Sequence, residues 1–282
     1  MAEASRLAED PQLLLLHAAG LGRASWDAVV ERIPGFARTV AIDLPGHGGV
    51  PGLAYDRDVV PRLAEYVAER IAVLGLRRPH VVGHSLGGVI ALELARRVPV
   101  SAVTALCAIG FRAACQASMC VVRTHAVVRV TATMGPRARG RLLARGLVRR
   151  LVMGSVSARP AALQAEVVAA DMTSMISSDL PTLCRYARRY SVRAVEADDT
   201  TPVNLVWADQ DRVVPLRDAV RARQVLPRAQ HFVIPGSGHF VVRDDPEGAA
   251  AVIHACHAQL LWQRQADRRR GARGNVNPRR GN

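Results

Sequence analysis

The chain has 282 residues, a formal net charge of +14 and 38 basic residues, all of them arginine. Hydrophobic residues make up 49% and charged residues 22% of the chain, which is typical of a globular protein and excludes a chain disordered throughout. A strong positive charge ordinarily indicates an acidic partner such as nucleic acid. However, aromatic residues are only 4% of the chain, and arginine without any lysine, beside abundant alanine, valine and leucine, indicates GC-rich coding bias. We therefore expect no specific nucleic-acid partner.

Three features of the sequence indicate the cellular compartment of the protein: the N-terminus, the apolar runs and the cysteines. Residues 1–11 contain three acidic residues, and the apolar run at residues 13–16 is too short for the core of a signal peptide. No apolar run reaches membrane-spanning length. Five cysteines, an odd number without paired spacing, fit a reducing environment. These features predict a cytoplasmic protein with no membrane span.

Two short apolar segments near the N-terminus predict strands, the first of them buried. Residues 13–16 (LLLL) lead into the loop 17–22 (HAAGLG), and residues 39–42 (TVAI) lead into the turn 43–48 (DLPGHG). Short apolar runs bounded by glycine and proline are typical of strands in a parallel sheet, which is buried on both faces. The two glycine-containing loops are therefore expected at one edge of such a sheet.

The third apolar segment, residues 80–82 (HVV), precedes the most specific motif of the chain. It is followed by Gly83-His84-Ser85-Leu86-Gly87, and residues 86–97 have a helix-compatible pattern. A strand that turns sharply into a helix strains its central residue and needs glycines on either side. The motif thus predicts a nucleophile elbow, with Ser85 exposed where helix amides favour negative charge. A turn of small residues without a catalytic role has the same pattern, so the rest of the chain must decide.

A long segment, residues 111–199, interrupts the strand pattern between the apolar runs 103–109 and 203–207. Its residues recur at helical spacing between glycines and prolines, which predicts about four helices forming a cap over the elbow. Such a cap could line an adaptable apolar pocket with methionines, or the methionines could simply hold the helices together. The methionines concerned are Met119, Met134, Met153, Met172 and Met175.

Arginines recur at every fourth position within this segment, at Arg137, Arg141, Arg145 and Arg149. In one continuous helix they would lie along a single face. A solvated face is the simplest interpretation. The alternative is an anion-facing surface that recruits acidic carriers or thioesters resembling those of coenzyme A.

Two further apolar segments end beside polar residues. Residues 203–207 (VNLVW) precede Asp209 and Asp211, and residues 229–234 (AQHFVI) precede the glycine-rich loop that contains His239. Either aspartate could reach the loop rim. The other histidines considered lie in or beside predicted core elements, where packing or hydrogen bonding is the simpler role: His17, His80, His84, His231 and His254.

A serine, an aspartate and a histidine thus follow successive predicted strands, and in this order the sequence resembles the α/β-hydrolase superfamily. The resemblance covers about residues 11–265. It implies an α/β fold, a three-layer sandwich with a mostly parallel sheet of about six strands and an inserted helical cap. The core would comprise residues 1–110 and 200–265, and the cap residues 111–199.

The resemblance also implies a catalytic triad. Ser85 would be the nucleophile and His239 the base. The family pattern Gly-x-x-Asp, with Ala208 at the glycine position, selects Asp211 as the acid and leaves Asp209 as a solvated turn residue.

The oxyanion hole would be formed by the backbone N–H groups of Ala19 and Leu86. Ala18 stands where the family usually has glycine, and alanine adopts positive φ only at a cost, so a slightly different loop geometry is expected. Asp43 and His47 belong to a turn that is structural in the family.

These roles imply a serine hydrolase that cleaves a carboxylic ester, lactone or thioester of a small to medium apolar substrate through an acyl-enzyme at Ser85. Such chemistry requires neither a cofactor nor a metal, and the sequence has no His and Cys cluster at metal-ligand spacing. The expected partner is a small apolar molecule. The alternative is the same fold and triad used as a ligand receptor or for cofactor-free lyase or cyclase chemistry.

The chain ends in an arginine-rich segment, residues 266–282, which contains glycine, asparagine and proline without an apolar period. This composition predicts disorder. The segment would serve as a solubilising extension or provide weak adhesion to anions.

Overall fold

A six-stranded parallel sheet forms the centre of the molecule. The computed structural model describes residues 12–33, 38–54, 58–111, 126, 128–178, 180–187, 189–193 and 201–274. The strand order is β2-β1-β3-β4-β5-β6, and every pairing is parallel. The predicted parallel α/β sheet of about six strands is therefore confirmed. The strands are β1 (Gln12–Leu16), β2 (Arg38–Ile42), β3 (His80–His84), β4 (Ala102–Leu106), β5 (Val203–Ala208) and β6 (Gln230–Ile234).

The central strands are buried on both faces, which explains their uninterrupted apolar sequences. Every residue of β1, β3 and β4 is buried. Because successive side chains of a strand point to opposite faces, Leu14 and Leu16 join one hydrophobic cluster and Leu13 and Leu15 join the other. The two clusters form the interfaces between the sheet and its two helical layers.

Helices cover both faces of the sheet. One cluster includes side chains of α2 (Val59–Val73), α3 (Leu86–Ala95) and α8 (Ala219–Val225). The opposite cluster includes side chains of α1 (Asp27–Val30), α9 (Val241–Asp244) and α10 (Pro246–Gly274). Among the described residues, no helix is both long enough and apolar enough to cross a bilayer.

In the described part of the chain between β4 and β5, residues 128–132 are helical and four further helices have defined bounds. They are α4 (Pro136–Leu143), α5 (Gly146–Met153), α6 (Ala165–Ser177) and α7 (Leu180–Ala187). Buried side chains of these helices join the cluster on the α3 side of the sheet.

The arginine repeat does not lie on one helical face, contrary to the prediction. The helix breaks between α4 and α5, because Arg145 is extended (φ −84°, ψ 121°) and Gly146, a weak helix former, begins the next helix. The guanidinium of Arg149 donates hydrogen bonds to the carbonyls of Leu143, Ala144 and Ala161. Arg149 therefore holds the break between the two helices.

The last helix differs from the prediction for the C-terminal segment. Helix α10 continues to Gly274, so residues 266–274 are helical where disorder was predicted. Extending an existing helix costs little, and arginine and alanine are good helix formers. Residues 275–282, residues 1–11 and Met119 lie outside the described residues, and the predictions made for them stay predictions.

Candidate active site

Ser85 stands at a sharp turn between β3 and α3, where it is buried (6% exposed) rather than exposed as predicted. Its backbone is strained, with φ 54° and ψ −107°. A Cβ atom on Gly83 would lie 2.1 Å from the carbonyl oxygen of Gly87, and a Cβ atom on Gly87 would lie 2.2 Å from that of Leu16. Both positions therefore require glycine, which is the physical reason for the motif around Ser85.

Three side chains from separate strand ends meet at this turn. The Nε2 atom of His239 lies 2.8 Å from Oγ of Ser85, and its Nδ1 atom lies 2.8 Å from Oδ2 of Asp211. Asp209 is exposed, so the structure brings Asp211 to the histidine. With Nδ1–H donating to the carboxylate, Nε2 is free to accept the proton of the Ser85 hydroxyl.

The Asp211 carboxylate is held from several sides. Its Oδ1 atom accepts hydrogen bonds from the backbone N–H groups of Val213 (2.7 Å) and Val214 (2.8 Å). Its side chain is fully buried. These bonds orient the other oxygen, Oδ2, toward His239.

Cys107 is a neighbour of this carboxylate that the sequence analysis missed. It follows β4, its φ is +48°, and its Sγ atom lies within 4.8 Å of a carboxylate oxygen of Asp211. Burial, followed by the nearby charge of Asp211, raises the pKa of the Cys107 thiol well above its ordinary value, so the thiol stays protonated. Donor atoms of Cys107, Asp211 and His239 all lie within 4.8 Å of one another, the one such metal-compatible set among the described residues. The Asp211 carboxylate and His239 are already linked by a hydrogen bond.

Two backbone amides lie just beyond the ends of β1 and β3. Ala19 lies in this loop, and Leu86 is the first residue of α3. Within the described part of the chain, neither N–H group has a hydrogen-bond acceptor. The positive φ in the loop is taken by Gly20 (78°), so Ala18 does not have to adopt it. The alanine is therefore accommodated without backbone strain.

Two buried histidines brace this loop. Nε2 of His47 accepts the N–H of Gly20 (2.9 Å), while Nε2 of His17 accepts the N–H of Leu44 (3.0 Å). Nδ1–H of His17 donates to the carbonyl of Ala18 (2.8 Å). Burial lowers the pKa of His17 to about 3, so its Nε2 remains an acceptor near neutral pH. The loop 17–22 and the turn 43–48 thus hold each other in place.

His84, the neighbour of Ser85, supports the loop that carries His239. Its Nε2–H donates to the backbone carbonyl of His239 at 2.7 Å. Burial, and then the nearby His239, lowers the pKa of His84 to about 3. A neutral His84 therefore supports the backbone of His239 without competing for protons.

Comparison with known proteins decides the family. Residues 13–252 match the alpha/beta hydrolase family. The chain belongs to this family. The match spans both parts of the sheet and the inserted helices between them, and it confirms the resemblance carried by the motifs.

Relatives of this α/β hydrolase include proteins named as esterases. An uncharacterised Mycobacterium tuberculosis protein is 27% identical over 252 residues, covering 84% of this chain and 72% of its own. A pimeloyl-[acyl-carrier protein] methyl ester esterase of Nitrosomonas europaea is 28% identical over 247 residues, covering 84% and 92%. The crystal structure of a putative aryl esterase from Burkholderia cenocepacia has the same fold, with a TM-score of 0.67, 19% identity and 90% and 92% coverage. These similarities support a hydrolase.

In this α/β hydrolase one carboxylate ties the loop that carries His239 to the inserted segment. Oδ2 of Asp244 accepts the backbone N–H of Gly238 (2.8 Å) and that of Ala158 (2.7 Å). Its Oδ1 atom accepts the Ser157 hydroxyl at 2.5 Å. Sequence reasoning missed this connection, because Asp244 is a surface-type residue in a short helix and its partners are distant in the chain.

Two further contacts strengthen the same connection. The backbone N–H of Phe240 donates to the carbonyl of Val156 at 2.8 Å. The guanidinium of Arg243 forms a two-pronged, mostly buried ion pair with Asp171 of α6, at 2.7 and 3.0 Å. The position of the inserted helices is therefore coupled to the loop that presents His239.

Asp244→Ala is expected to lower kcat/KM for ester substrates about ten- to a hundredfold, because displacement of a reacting group by about 1 Å costs this much. The labelling rate of Ser85 by a fluorophosphonate should fall in parallel. The matched control is Asp245→Ala, which removes a neighbouring carboxylate that accepts only the N–H of Gly248 in the described contacts. Equal losses in both variants, after correction for unfolded protein by circular dichroism, would contradict the positioning role of Asp244.

The methionines predicted to line a pocket differ in position. Met153, Met172 and Met175 are buried, Met134 is half-buried, and Met119 lies outside the described residues. A Cβ atom on Gly20 would lie 3.1 Å from Cγ of Met175 and 3.1 Å from Cδ2 of Leu180. Met175 is therefore in contact with the loop after β1, and Met153, Met172 and Met175 all belong to the hydrophobic core.

Proposed function

We propose that this α/β hydrolase cleaves a carboxylic ester, lactone or thioester of a small to medium apolar substrate through an acyl-enzyme at Ser85. The observation that carries the proposal is the pair of 2.8 Å contacts that link Ser85, His239 and Asp211. The esterase names of several relatives support the same reaction class. The chemistry requires no cofactor or metal.

In the first step, Nε2 of His239 accepts the hydroxyl proton while Oγ of Ser85 attacks the substrate carbonyl carbon. The buried Asp211 carboxylate stabilises the resulting imidazolium and keeps Nδ1 protonated. Because Asp211 is held by the N–H groups of Val213 and Val214, it does not have to reorganise during the reaction.

The carbonyl oxygen becomes an oxyanion in the tetrahedral intermediate. The N–H groups of Ala19 and Leu86 are proposed to donate to it, since neither has an acceptor within the described residues. One such donor contributes on the order of 3 kcal/mol to lowering the barrier. The braces from His17 and His47 keep the Ala19 side of this site in place before substrate binds.

Collapse of the intermediate breaks the bond to the leaving group, which takes the proton from His239 and departs. Water then gives a proton to His239 and attacks the acyl carbon. A second collapse returns that proton to Oγ of Ser85 and releases the carboxylic acid.

The inserted helices α4–α7 are proposed to act as a cap that forms the acyl pocket. Met175 is the residue whose position supports this role best, because it lies against Gly20 beside the proposed oxyanion site. Methionine is flexible and polarisable, so it adapts to apolar groups of varied shape.

The proposed function is tested by offering the protein p-nitrophenyl esters, lactones and thioesters of increasing acyl length, together with a fluorophosphonate probe. A burst of product and a covalent adduct on Ser85 are the expected results. Ready labelling of Ser85 without turnover of any of the three substrate classes would refute hydrolysis. It would instead favour a ligand receptor or cofactor-free lyase or cyclase chemistry on the same triad.

Met175→Ala should shift the preferred acyl length while leaving fluorophosphonate labelling of Ser85 nearly unchanged. Each methylene that the pocket accommodates contributes up to about 0.8 kcal/mol, so kcat/KM should rise with length and then fall. The control is Met172→Ala, which removes an equally buried methionine from the same helix. The measurement is kcat/KM across the ester series for both variants, with Met119→Ala, Met134→Ala and Met153→Ala for comparison. A profile unaltered in all five would show that the methionines only hold the helices together.

A further inference from the structure

The first part of the inserted segment carries charge of one sign only. Residues 112–165 contain ten arginines and no aspartate or glutamate; the next acidic residue is Glu166. The arginines are Arg112, Arg123, Arg129, Arg137, Arg139, Arg141, Arg145, Arg149, Arg150 and Arg159. Helices α4 and α5 lie in this stretch, so their surface has no acidic residue of its own to balance the charge.

Among the arginines of this stretch that the structure describes, Arg139 and Arg149 have internal partners. Arg139 is buried and donates to the hydroxyl of Thr173, and Arg149 donates to backbone carbonyls at the helix break. The exposed ones on this pair of helices are Arg137, Arg141, Arg145 and Arg150. None of these four forms an ion pair with any residue that the structure describes. Their charge is therefore available to an external anion.

Apolar side chains accompany this charge on α5. Leu147 and Leu151, one helical turn apart, are 70% and 71% exposed, with the exposed Arg150 beside them. Val152 and Met153 of the same helix are buried against the rest of the protein. Helix α5 thus carries apolar side chains on its outer side as well as on its inner side. Among the described residues, nothing covers the two outer leucines.

We propose that the α4–α5 surface, formed by Arg137, Arg141, Arg145, Leu147, Arg150 and Leu151, docks on an anionic phospholipid bilayer. The leucines enter the boundary between headgroups and acyl chains, and the arginine guanidiniums bind lipid phosphates. Each basic side chain near an anionic membrane strengthens binding about fivefold. The resulting association is peripheral and reversible.

A bilayer suits this surface better than a protein partner does. Protein interfaces concentrate their binding energy in well-packed aromatic anchors, and the α4–α5 surface has no aromatic residue. Two exposed leucines among unpaired arginines instead match a fluid, negatively charged surface that requires no detailed shape complementarity. The proposal concerns binding alone, so the Ser85→Ala variant should bind as the parent protein does.

The test measures co-sedimentation of the full-length protein with phosphatidylcholine vesicles, with and without phosphatidylglycerol. Binding is expected only to the vesicles that contain phosphatidylglycerol, and added salt should weaken it. Leu147→Ser with Leu151→Ser should weaken the partition about tenfold, because the apolar contribution is lost while the charge is kept.

A matched pair of variants separates this surface from overall charge. Leu147→Ser with Arg150→Gln removes one exposed apolar residue and one arginine from α5. Val220→Ser with Arg221→Gln does the same on α8, where Val220 is 66% exposed. Only the double variant on α5 should reduce vesicle binding substantially. Both double variants keep the basic C-terminal segment, so that segment cannot cause a difference between them.

Three outcomes would overturn the proposal. In the first, binding is equally weak to both kinds of vesicle. In the second, the two double variants lose vesicle binding equally, which would assign the binding to net charge. In the third, the parent protein does not bind vesicles but binds an acidic protein, with apo acyl-carrier protein as the probe. The double variant on α5 abolishes that binding. That result would assign the surface to a protein partner.

Discussion

Ser85→Ala is expected to lower kcat/KM for p-nitrophenyl esters by about four to six orders of magnitude, because no other group replaces the nucleophile. The variant should also fail to form a covalent adduct with a fluorophosphonate. Its melting temperature should change little, since only a hydroxyl is lost from a small side chain and the strained backbone of the turn remains. The steady-state rate and the intact mass after labelling are the measurements.

The control for this substitution is Ser25→Ala. Ser25 is also buried, but it lies in the short helix after the β1 loop, and its hydroxyl has no hydrogen-bond partner among the described residues. Activity should therefore stay close to that of the parent protein. Retention of most ester turnover by purified Ser85→Ala would refute the acyl-enzyme mechanism.

Asp211→Asn should reduce kcat by about four orders of magnitude. The amide oxygen of Asn would accept the N–H groups of Val213 and Val214, which directs the NH₂ group at Nδ1 of His239. Because NH₂ can only donate, Nδ1 would have to accept, and Nε2 would then carry the proton and could not take one from Ser85. The neutral side chain would also fail to stabilise an imidazolium.

Asp209→Asn is the matched control, because the same change is made two residues away on an exposed side chain. Its kcat should stay within about threefold of the parent value, as is usual for an exposed substitution with no partner in the mechanism. Circular dichroism would show whether either variant is unfolded. The reverse ranking of the two variants would place the acid at Asp209 and show the assignment of Asp211 to be wrong.

The sequence by itself determined the sheet, the helical insertion and the turn at Ser85. Strands buried on both faces need uninterrupted apolar residues, so LLLL at residues 13–16 and HVV at 80–82 were readable as strands. The glycines around Ser85 were readable for a similar reason, since the carbonyls of Leu16 and Gly87 leave no space for a Cβ atom. Constraints of this kind act on a few adjacent residues and leave a pattern in the sequence.

Contacts between distant residues were decided by the tertiary structure alone. The thiol of Cys107 reaches Asp211 because two neighbouring strands end at the same edge of the sheet. Asp244 accepts from Ala158 across the fold, and His47 accepts from Gly20. Each of these hydrogen bonds forms only where the fold brings two distant segments of the chain together. Neither segment by itself therefore shows a residue spacing that predicts the bond.

The helical insertion likewise combines features that the sequence determines with features that only the tertiary structure decides. Spacing indicated helices there, but it did not indicate the break at Arg145, where the Arg149 guanidinium donates to the carbonyls of Leu143 and Ala161. Likewise, the exposed positions of Leu147 and Leu151 follow from which side of α5 faces the core. Local propensity therefore determined that helices form in this segment, whereas their ends and outward faces were set by packing against the rest of the protein.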